Sequence, residues 1–248
     1  MSKTVSKFAL AAGFVLAITF TFSCSSDDDG GGGGSPSSSS VGMQGGVPDL
    51  PKQVYFWGEE YDGNVNIAVL ISKYGRVGCG GGSDGGVACT CTSDDGIEFS
   101  CKEEDVYDTL PAGKIQNGQL SLNLPTINSK YLRKFEPCND EYCQSNISVV
   151  PRNLTFTEPS LYAPIPGIRG LIRPYRTKSD KTDRAQFYYF SESGSITGTE
   201  TDTYHGYQTN FDMNFSKGWN LVYYDTYGKN SNLTTDLPKD GTWEWWIE

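Results

Sequence analysis

Cysteines are the residues whose type and spacing indicate chemistry most clearly in this sequence. The chain contains seven of them, and all but one lie beyond residue 51: Cys79, Cys89, Cys91, Cys101, Cys138 and Cys143. An even set of this kind is typical of disulfides in an exported chain. A four-thiolate zinc site is the alternative, but the spacing lacks the paired C-x2-4-C knuckles of such sites. We therefore expect disulfides and no bound metal.

The cysteine spacing also restricts the pairing. Cys138 and Cys143 enclose a short polar loop and are expected to pair locally. The other four follow the pattern C-x9-C-x-C-x9-C. Two cysteines two residues apart on a strand face the same side, so each is expected to pair outward. Two arrangements stay open: Cys79–Cys89 with Cys91–Cys101, or Cys79–Cys91 with Cys89–Cys101.

The seventh cysteine, Cys24, follows a segment with the parts of an export signal. Lys3 and Lys7 precede an apolar run at residues 8–22, which is shorter than the roughly 18–20 residues needed to span a bilayer. The sequence Thr-Phe-Ser-Cys ending at Cys24 resembles a lipobox, where bacterial lipoproteins are cleaved and acylated. The Gly, Ser and Asp residues that follow cannot bury apolar surface. We expect a signal peptide at 1–23, acylation of Cys24 and a flexible tether at 24–51.

Charge and targeting residues predict the location and exclude one class of partner. The Ser-Ser-Asp-Asp-Asp segment after Cys24 resembles the signal that sends some lipoproteins to the cell surface. The formal net charge is −10, and no Lys/Arg cluster interrupts it, so nucleic acid is not an expected partner. The predicted location is the outer membrane or cell surface, with the lipid as the membrane contact.

The sequence contains little that indicates a catalytic site. His205 is the one histidine, and any Ser-His-Asp or Cys-His arrangement would have to include it. It lies in a turn-like Thr-Tyr-His-Gly segment and is expected to be an exposed loop residue. No glycine motif indicates a phosphate-binding loop. We predict no catalytic residues and no cofactor, with paired carboxylates of a glycan hydrolase as an alternative.

Aromatic residues carry the strongest indication of binding, since the chain has 15 tyrosines and 5 tryptophans. Exposed Trp and Tyr rings can stack on the apolar face of a sugar while their polar edges stay wet. Strand alternation over residues 242–248 places Trp243 and Trp245 on one side and Trp246 on the other. In the same way Tyr188 and Tyr189 face opposite sides of their strand. Trp246, Tyr189 and Tyr188 are the candidate ligand contacts.

The elements that must position these residues are strands. Short runs rich in Val, Ile, Thr, Tyr and Phe alternate with turn signals, which predicts an all-β, antiparallel two-sheet β-sandwich, Ig-like or transthyretin-like in general style. One domain is expected over residues 52–248, with at most one short helix near 127–135, capped by Asn128. Residues 78–86 are expected to form a glycine-rich loop, and the Cys89 and Cys101 segments a hairpin. The main predicted strands cover 53–57, 64–72, 119–124, 147–150, 153–157, 186–190, 195–199, 209–215, 220–225 and 242–247.

Three segments resemble a loose group of uncharacterised exported bacterial lipoproteins. They are Gly113–Pro125, which fits G-x-I-x-N-G-x-L-x-L-x-L-P; Gly194–Thr199, which fits G-x-I-T-G-T; and Phe215–Val222, which contains K-G-W-N-x-V. The resemblance implies one β domain and no particular activity. Together these observations predict a lipid-anchored, non-enzymatic binding module for extracellular glycan or protein. A structural or assembly lipoprotein of the outer membrane and a glycan hydrolase are the alternatives.

Overall fold

A computed structural model describes residues 50–248, except positions 57, 75, 82–86, 93–96, 102–105, 139–140, 169 and 179–180. The predicted signal peptide, Cys24 and nearly all of the predicted tether therefore lie outside the described residues. Within the described part, no helix is long and apolar enough to cross a membrane.

The described chain is built from strands, with one short 3-10 helix, Ser129–Tyr131, among its elements. In chain order the strands are β1 (Val54–Phe56), β2 (Glu59–Glu60), β3 (Val65–Ser72), β4 (Arg76–Gly81), β5 (Val87–Thr92), β6 (Glu98–Cys101), β7 (Tyr107–Gln116), β8 (Gln119–Leu122), β9 (Arg133–Lys134), β10 (Cys143–Ser145), β11 (Ser148–Val150), β12 (Thr155–Thr157), β13 (Ser160–Tyr162), β14 (Leu171–Lys178), β15 (Lys181–Phe190), β16 (Gly194–Asp202), β17 (Tyr207–Phe215), β18 (Gly218–Tyr227), β19 (Asn230–Thr234) and β20 (Thr242–Ile247).

Hydrogen bonds join 17 strands into one large mixed sheet, and β4, β5 and β6 form a second sheet of three strands. The prediction of an all-β fold is confirmed. Most neighbouring strands are antiparallel, whereas β1 pairs with β20, and β17 with β19, in parallel. Because the large sheet is continuous, the hydrogen bonding does not divide it into the two sheets of a sandwich, and that finer architecture stays a prediction.

Alternation of apolar residues explains which face each strand buries. In β3, Ile67, Val69 and Ile71 are 2%, 0% and 0% exposed, and the residues between them are more accessible. In β20, Trp243 and Trp245 are buried, as their period of two predicts. These two strands therefore form where the sequence places a buried apolar side chain at every second position.

Both faces of β15 are buried, each by a different apolar core. Phe187 lies in a core with Trp219. Tyr188 and Phe190 lie in a second core with Phe156. Strand β18 pairs with β15 over seven residue pairs and contributes to both cores. These two strands thus form the shared wall between the cores, and residues on their two faces have different neighbours.

The three-stranded sheet settles part of the cysteine pairing. Cys91 and Cys101 form a disulfide with Cα atoms 5.9 Å apart, so the alternative that paired Cys79 with Cys91 and Cys89 with Cys101 is wrong. The predicted hairpin is confirmed, because β5 and β6 are antiparallel with Cys89 opposite Cys101. The predicted glycine-rich loop is wrong at residues 78–81, which belong to β4 because their backbone pairs with β5. The prediction of a Cys138–Cys143 disulfide is confirmed.

Two long strands that contain a proline were not predicted from the sequence. Strand β7 contains Pro111, and its pairing with β3 shifts register between Ile67 and Ala68, so Ala112 is the extra residue of a β-bulge. Strand β14 contains Pro174, which lies opposite Trp245 of β20. A proline usually lowers the expectation of a strand because it donates no backbone hydrogen bond.

The predicted short helix is present as a single 3-10 turn. Asn128 caps it: its Oδ1 accepts a hydrogen bond from the Lys130 backbone N–H at 2.9 Å, as predicted. Nearby, the Trp219 indole N–H donates to the carbonyl oxygen of Pro125 at 2.7 Å. A buried ring of β18 is therefore hydrogen-bonded to the segment that leads into the turn.

Candidate functional site

Trp246, the first predicted ligand contact, lies on the outer face of β20 and is half-buried. Its indole N–H donates to Glu244 Oε2 at 3.0 Å. Its ring centroid is 5.8 Å from that of Tyr175, with the planes tilted by 54°. The side chain faces away from the core, as predicted, but one side of the ring is covered by a neighbour.

The other two predicted contacts are buried. Tyr188 is 5% exposed and stacks on Phe156, with the ring planes 7° apart. Tyr189 is 7% exposed and packs edge-on against Trp219 at 5.5 Å. They face opposite sides of β15, as alternation predicts, and neither offers an open face to a ligand. The structure brings none of the three predicted rings together.

Exposed aromatic residues gather elsewhere, at the end of the hairpin formed by β16 and β17. We call Tyr142, Tyr204, His205 and Tyr207 the hairpin aromatic cluster. Tyr142 is 56% exposed and Tyr204 75% exposed. Their ring centroids lie 6.1 Å apart, and that of His205 lies 4.7 Å from Tyr204 and 6.0 Å from Tyr207. The four rings form one chain of contacts on the surface.

The hairpin turn holds two of these rings through one carboxylate. Asp202 Oδ1 accepts the backbone N–H groups of Tyr204 and His205, both at 2.9 Å. Asp202 Oδ2 lies 2.8 Å from His205 Nδ1. Gly206 closes the turn with a positive φ of 70°, where glycine is favoured, and donates to the Asp202 carbonyl oxygen. The turn therefore fixes the direction of the backbone from which the rings project.

Tyr142 reaches the cluster from a distant part of the sequence. It lies between the bonded cysteines Cys138 and Cys143, and β10 pairs with β16 so that Cys143 lies opposite Asp202. The backbone N–H of Thr203 donates to the Tyr142 carbonyl oxygen at 2.8 Å. A disulfide-closed loop is therefore attached to the hairpin beside the turn, which explains why Tyr142 and Tyr204 meet.

A cation from the next turn joins the cluster. Lys229 Nζ donates to the His205 carbonyl oxygen at 2.5 Å and lies 5.6 Å from the centroid of the Tyr207 ring. The Lys229 carbonyl oxygen accepts the Gln208 backbone N–H, which connects the two turns. Tyr227, 80% exposed, is the last residue of β18, immediately before this turn.

The electrostatics of the turn favour a charged Asp202. Its pKa is lowered, first by the backbone N–H of His205 and then by the His205 ring. The cluster therefore presents flat apolar faces beside one carboxylate and one ammonium group. Such a surface can stack on a sugar ring and exchange hydrogen bonds with its hydroxyl groups.

Acids with raised pKa values occur outside the cluster. Burial raises the pKa of Glu158 and of Glu200. A hydrogen bond from Tyr188 lowers the pKa of Glu158 and so opposes the effect of burial. For Glu200 the opposing group is the backbone N–H of Cys138, whose nitrogen lies 2.8 Å from Glu200 Oε1. In neither case does a second carboxyl group act on the first. Across the described residues, no group of three or more His, Cys, Asp or Glu side chains is placed to hold a metal ion.

Sequence reasoning placed His205 correctly in an exposed loop but missed the aromatic cluster around it. The local signal was present in the Tyr204-His205-Gly206-Tyr207 segment, which has three aromatic rings within four residues. The contribution of Tyr142 carried no local signal, because it depends on the pairing of β10 with β16. Comparison of the chain with protein-family models, curated proteins and solved structures finds no match.

Proposed function

We propose that this protein is a lipid-anchored binding module that contacts extracellular glycan through the hairpin aromatic cluster. The observation that carries the proposal is the exposure of Tyr142 and Tyr204 in direct ring contact on a surface fixed by a disulfide and an Asp turn. Soluble proteins usually bury large rings, so a contiguous exposed set favours a binding surface.

Rigidity of the cluster supports ligand binding over chance exposure. The turn around Asp202 and the Cys138–Cys143 loop restrict the backbone that carries the rings. A pre-organised ring loses little conformational freedom when a ligand stacks on it, which preserves affinity. Tyr also carries a hydroxyl group that can donate to or accept from sugar hydroxyls.

The membrane anchor belongs to the same proposal and is supported by the sequence around Cys24. Acylation there, followed by the tether, would hold the β domain outside the cytoplasm, at the outer membrane or cell surface. The resemblance of three segments to exported bacterial lipoproteins agrees with this location. Intact mass spectrometry of the natively expressed protein tests it: the N-terminal residue is expected to be Cys24 with acyl mass attached. A different N-terminus without lipid contradicts the anchor.

The finer architecture is also a proposal. We infer that the large sheet folds back on itself in the general style of a β-sandwich. The burial of β15 on both faces, by two separate cores, supports this inference.

The binding proposal is tested by affinity electrophoresis of the purified protein through gels containing individual neutral or acidic polysaccharides. We expect retardation by at least one polysaccharide. Tyr204→Ala is expected to weaken that interaction about tenfold, the effect of losing about 1.4 kcal/mol of ring contact. Phe99→Ala is the matched control, because Phe99 is an accessible ring on the three-stranded sheet. Equal weakening by both variants, or retardation by no polysaccharide, contradicts the proposal.

A further inference from the structure

Strands β14 and β15 separate part-way along their length. They are paired from Tyr175 opposite Arg184 to Lys178 opposite Lys181. Beyond that point β13 occupies the edge of β14, and β12 occupies the edge of β15. The link between β12 and β13 begins at Glu158 and crosses the opening. We call this opening the fork.

Two arginines at the fork lie on the same face of the sheet. Arg176 points into the interior, where it binds Asp183, so alternation places Arg173 and Arg184 on the opposite face. Arg173 lies opposite Trp246 of β20. Both arginines are half-buried.

Arg184 has unusual surroundings for a charged side chain in this protein. Its guanidinium carbon is 5.8 Å from the centroid of the Tyr224 ring. Among the described residues, no carboxylate lies within ion-pairing distance of it, although acidic residues outnumber basic ones by 30 to 20 in the chain. Arg173, in contrast, is 3.1 Å from Glu248 Oε2. Arg184 is therefore a half-buried cation with no ion-paired carboxylate among the described residues.

The electrostatic effect on Arg184 is visible in its pKa, which is lowered first by burial and then by the positive charge of Arg173. Both causes disfavour the charged form of Arg184, and the negative charge of an anion placed between the two guanidinium groups would offset them. A planar carboxylate can accept two parallel hydrogen bonds from the N–H groups of one guanidinium group.

Oxygen atoms line the other side of the opening. The hydroxyl groups of Tyr188 and Tyr224 are hydrogen-bonded to each other. Tyr188 also hydrogen-bonds Glu158, which opposes the rise in pKa that burial causes in Glu158. Glu158 is accessible to solvent, yet enough protein surrounds it to desolvate its carboxyl group.

We propose that the fork binds the carboxylate group of a hydroxylated ligand, with Arg184 and Arg173 holding the carboxylate and Glu158 and Tyr224 facing its hydroxyl groups, while the buried Tyr188 holds the Tyr224 hydroxyl group in place. The chemical class that carries both groups on a compact ring is the acidic sugar. The site shares no residue with the hairpin aromatic cluster and goes beyond the function proposed for it.

Isothermal titration of the purified protein with D-glucuronate, and with D-glucose as the uncharged counterpart, tests the proposal. We expect glucuronate to bind with a dissociation constant on the order of 1 mM, and glucose to show no measurable binding. Arg184→Gln removes the charge and is expected to weaken binding at least about tenfold. Arg184→Lys keeps the charge and is expected to lie between the wild type and Arg184→Gln, because an ammonium group cannot bind bidentately. Arg152→Gln is the control at an exposed loop position and is expected to change nothing.

Three results would overturn the proposal: no heat of binding with glucuronate, unchanged affinity in folded Arg184→Gln, or equal affinity for inorganic phosphate and glucuronate. Thermal melting of each variant shows that it is folded. If Arg184→Gln does not fold, Arg184→Lys becomes the test variant. An unchanged affinity of Arg184→Lys for glucuronate would then contradict the proposal. Tyr204→Ala is expected to bind glucuronate normally, so failure at the fork is distinguishable from failure of the hairpin aromatic cluster.

Discussion

Arg176 Nη2 donates to Asp183 Oδ2 at 2.6 Å across the β14–β15 hairpin, with both side chains almost completely buried. The Tyr223 hydroxyl group lies 2.5 Å from the same nitrogen and 2.7 Å from the same oxygen. Arg176 Nη1 reaches out to Asp240 Oδ1 at 2.8 Å. The pair connects three strands, because β18 supplies Tyr223. It fixes the part of the sheet from which β14 and β15 separate.

Replacing the buried acid is therefore expected to destabilise the protein strongly. Asp183→Asn should lower the free energy of unfolding by about 3–5 kcal/mol, because it leaves the Arg176 charge buried without its internal partner. Asp240→Asn is the matched control: it removes the accessible partner of the same arginine and should cost less than about 1 kcal/mol. Urea unfolding measures both. Equal losses in the two variants would show that the buried pair has no special importance.

Alkaline pH is expected to destabilise the fold through its buried tyrosines. The pKa of Tyr223 is raised first by burial and then by its hydrogen bond to Asp183, and burial likewise raises the pKa values of Tyr188 and Tyr224. These groups keep their protons in the folded state, whereas in the unfolded state they titrate near pH 10. The stability that these protonated tyrosines contribute to the fold is therefore fully present below about pH 10 and decreases as the pH rises further.

Urea unfolding at about pH 8 and about pH 11 measures this dependence. Tyr223→Phe removes one of the titrating groups, so the variant should lose less stability between the two pH values than the wild type. Tyr227→Phe is the control, because that tyrosine is largely exposed, and it should behave as the wild type. An identical pH dependence in Tyr223→Phe and the wild type would be incompatible with the raised pKa of Tyr223.

The sequence predicted several elements correctly because their side chains follow a simple period. Strands β3 and β20 place a buried apolar side chain at every second position, and Asn128 is a typical cap. Strand β14 was missed because it contains Pro174 and because Arg176 is charged, although it is buried. A buried ion pair has no local sequence signature, since the partner that makes burial possible lies on another strand.

The candidate sites were even less accessible to sequence reasoning. Alternation separated the two faces of β15 correctly but did not show that both faces are covered, so Tyr188 and Tyr189 were taken as candidate contacts. The hairpin aromatic cluster depends on a long-range strand pairing that brings Tyr142 beside Tyr204. Exposure is a property of the assembled fold, whereas alternation gives relative direction alone.

The β-bulge of β7 gives a prediction about Gly113. This residue has a φ of 137°, and a Cβ atom added there would lie 2.0 Å from the Ser121 carbonyl oxygen. Gly113→Ala should lower the free energy of unfolding by about 2–4 kcal/mol, through strain and displacement of β8. Gly58→Ala is the matched control, with a φ of 83° and open space around the position, and should cost about 1–2 kcal/mol. A smaller loss at Gly113 than at Gly58 would contradict the close approach of β7 and β8.

Disulfide mapping tests the cysteine arrangement. Peptide mass spectrometry without reduction is expected to find Cys91–Cys101 and Cys138–Cys143. Three cysteines are left, and Cys24 is the predicted acylation site. Cys79 and Cys89 lie opposite each other in the backbone register of β4 and β5, so we predict that they form the third bond. A peptide linking Cys89 to Cys101 would contradict the pairing.

The most direct test of the glycan-binding proposal is to locate the ligand on the protein. Backbone and side-chain NMR shifts of the purified protein are recorded while an oligosaccharide from the retarding polysaccharide is added. The proposal predicts that the largest changes occur at Tyr142, Tyr204, His205 and Tyr207, and that Tyr204→Ala needs about ten times more ligand for the same changes at the other three residues. Changes centred on another surface, for example around Trp246, with none at these four residues, would show that the hairpin aromatic cluster is not the binding site.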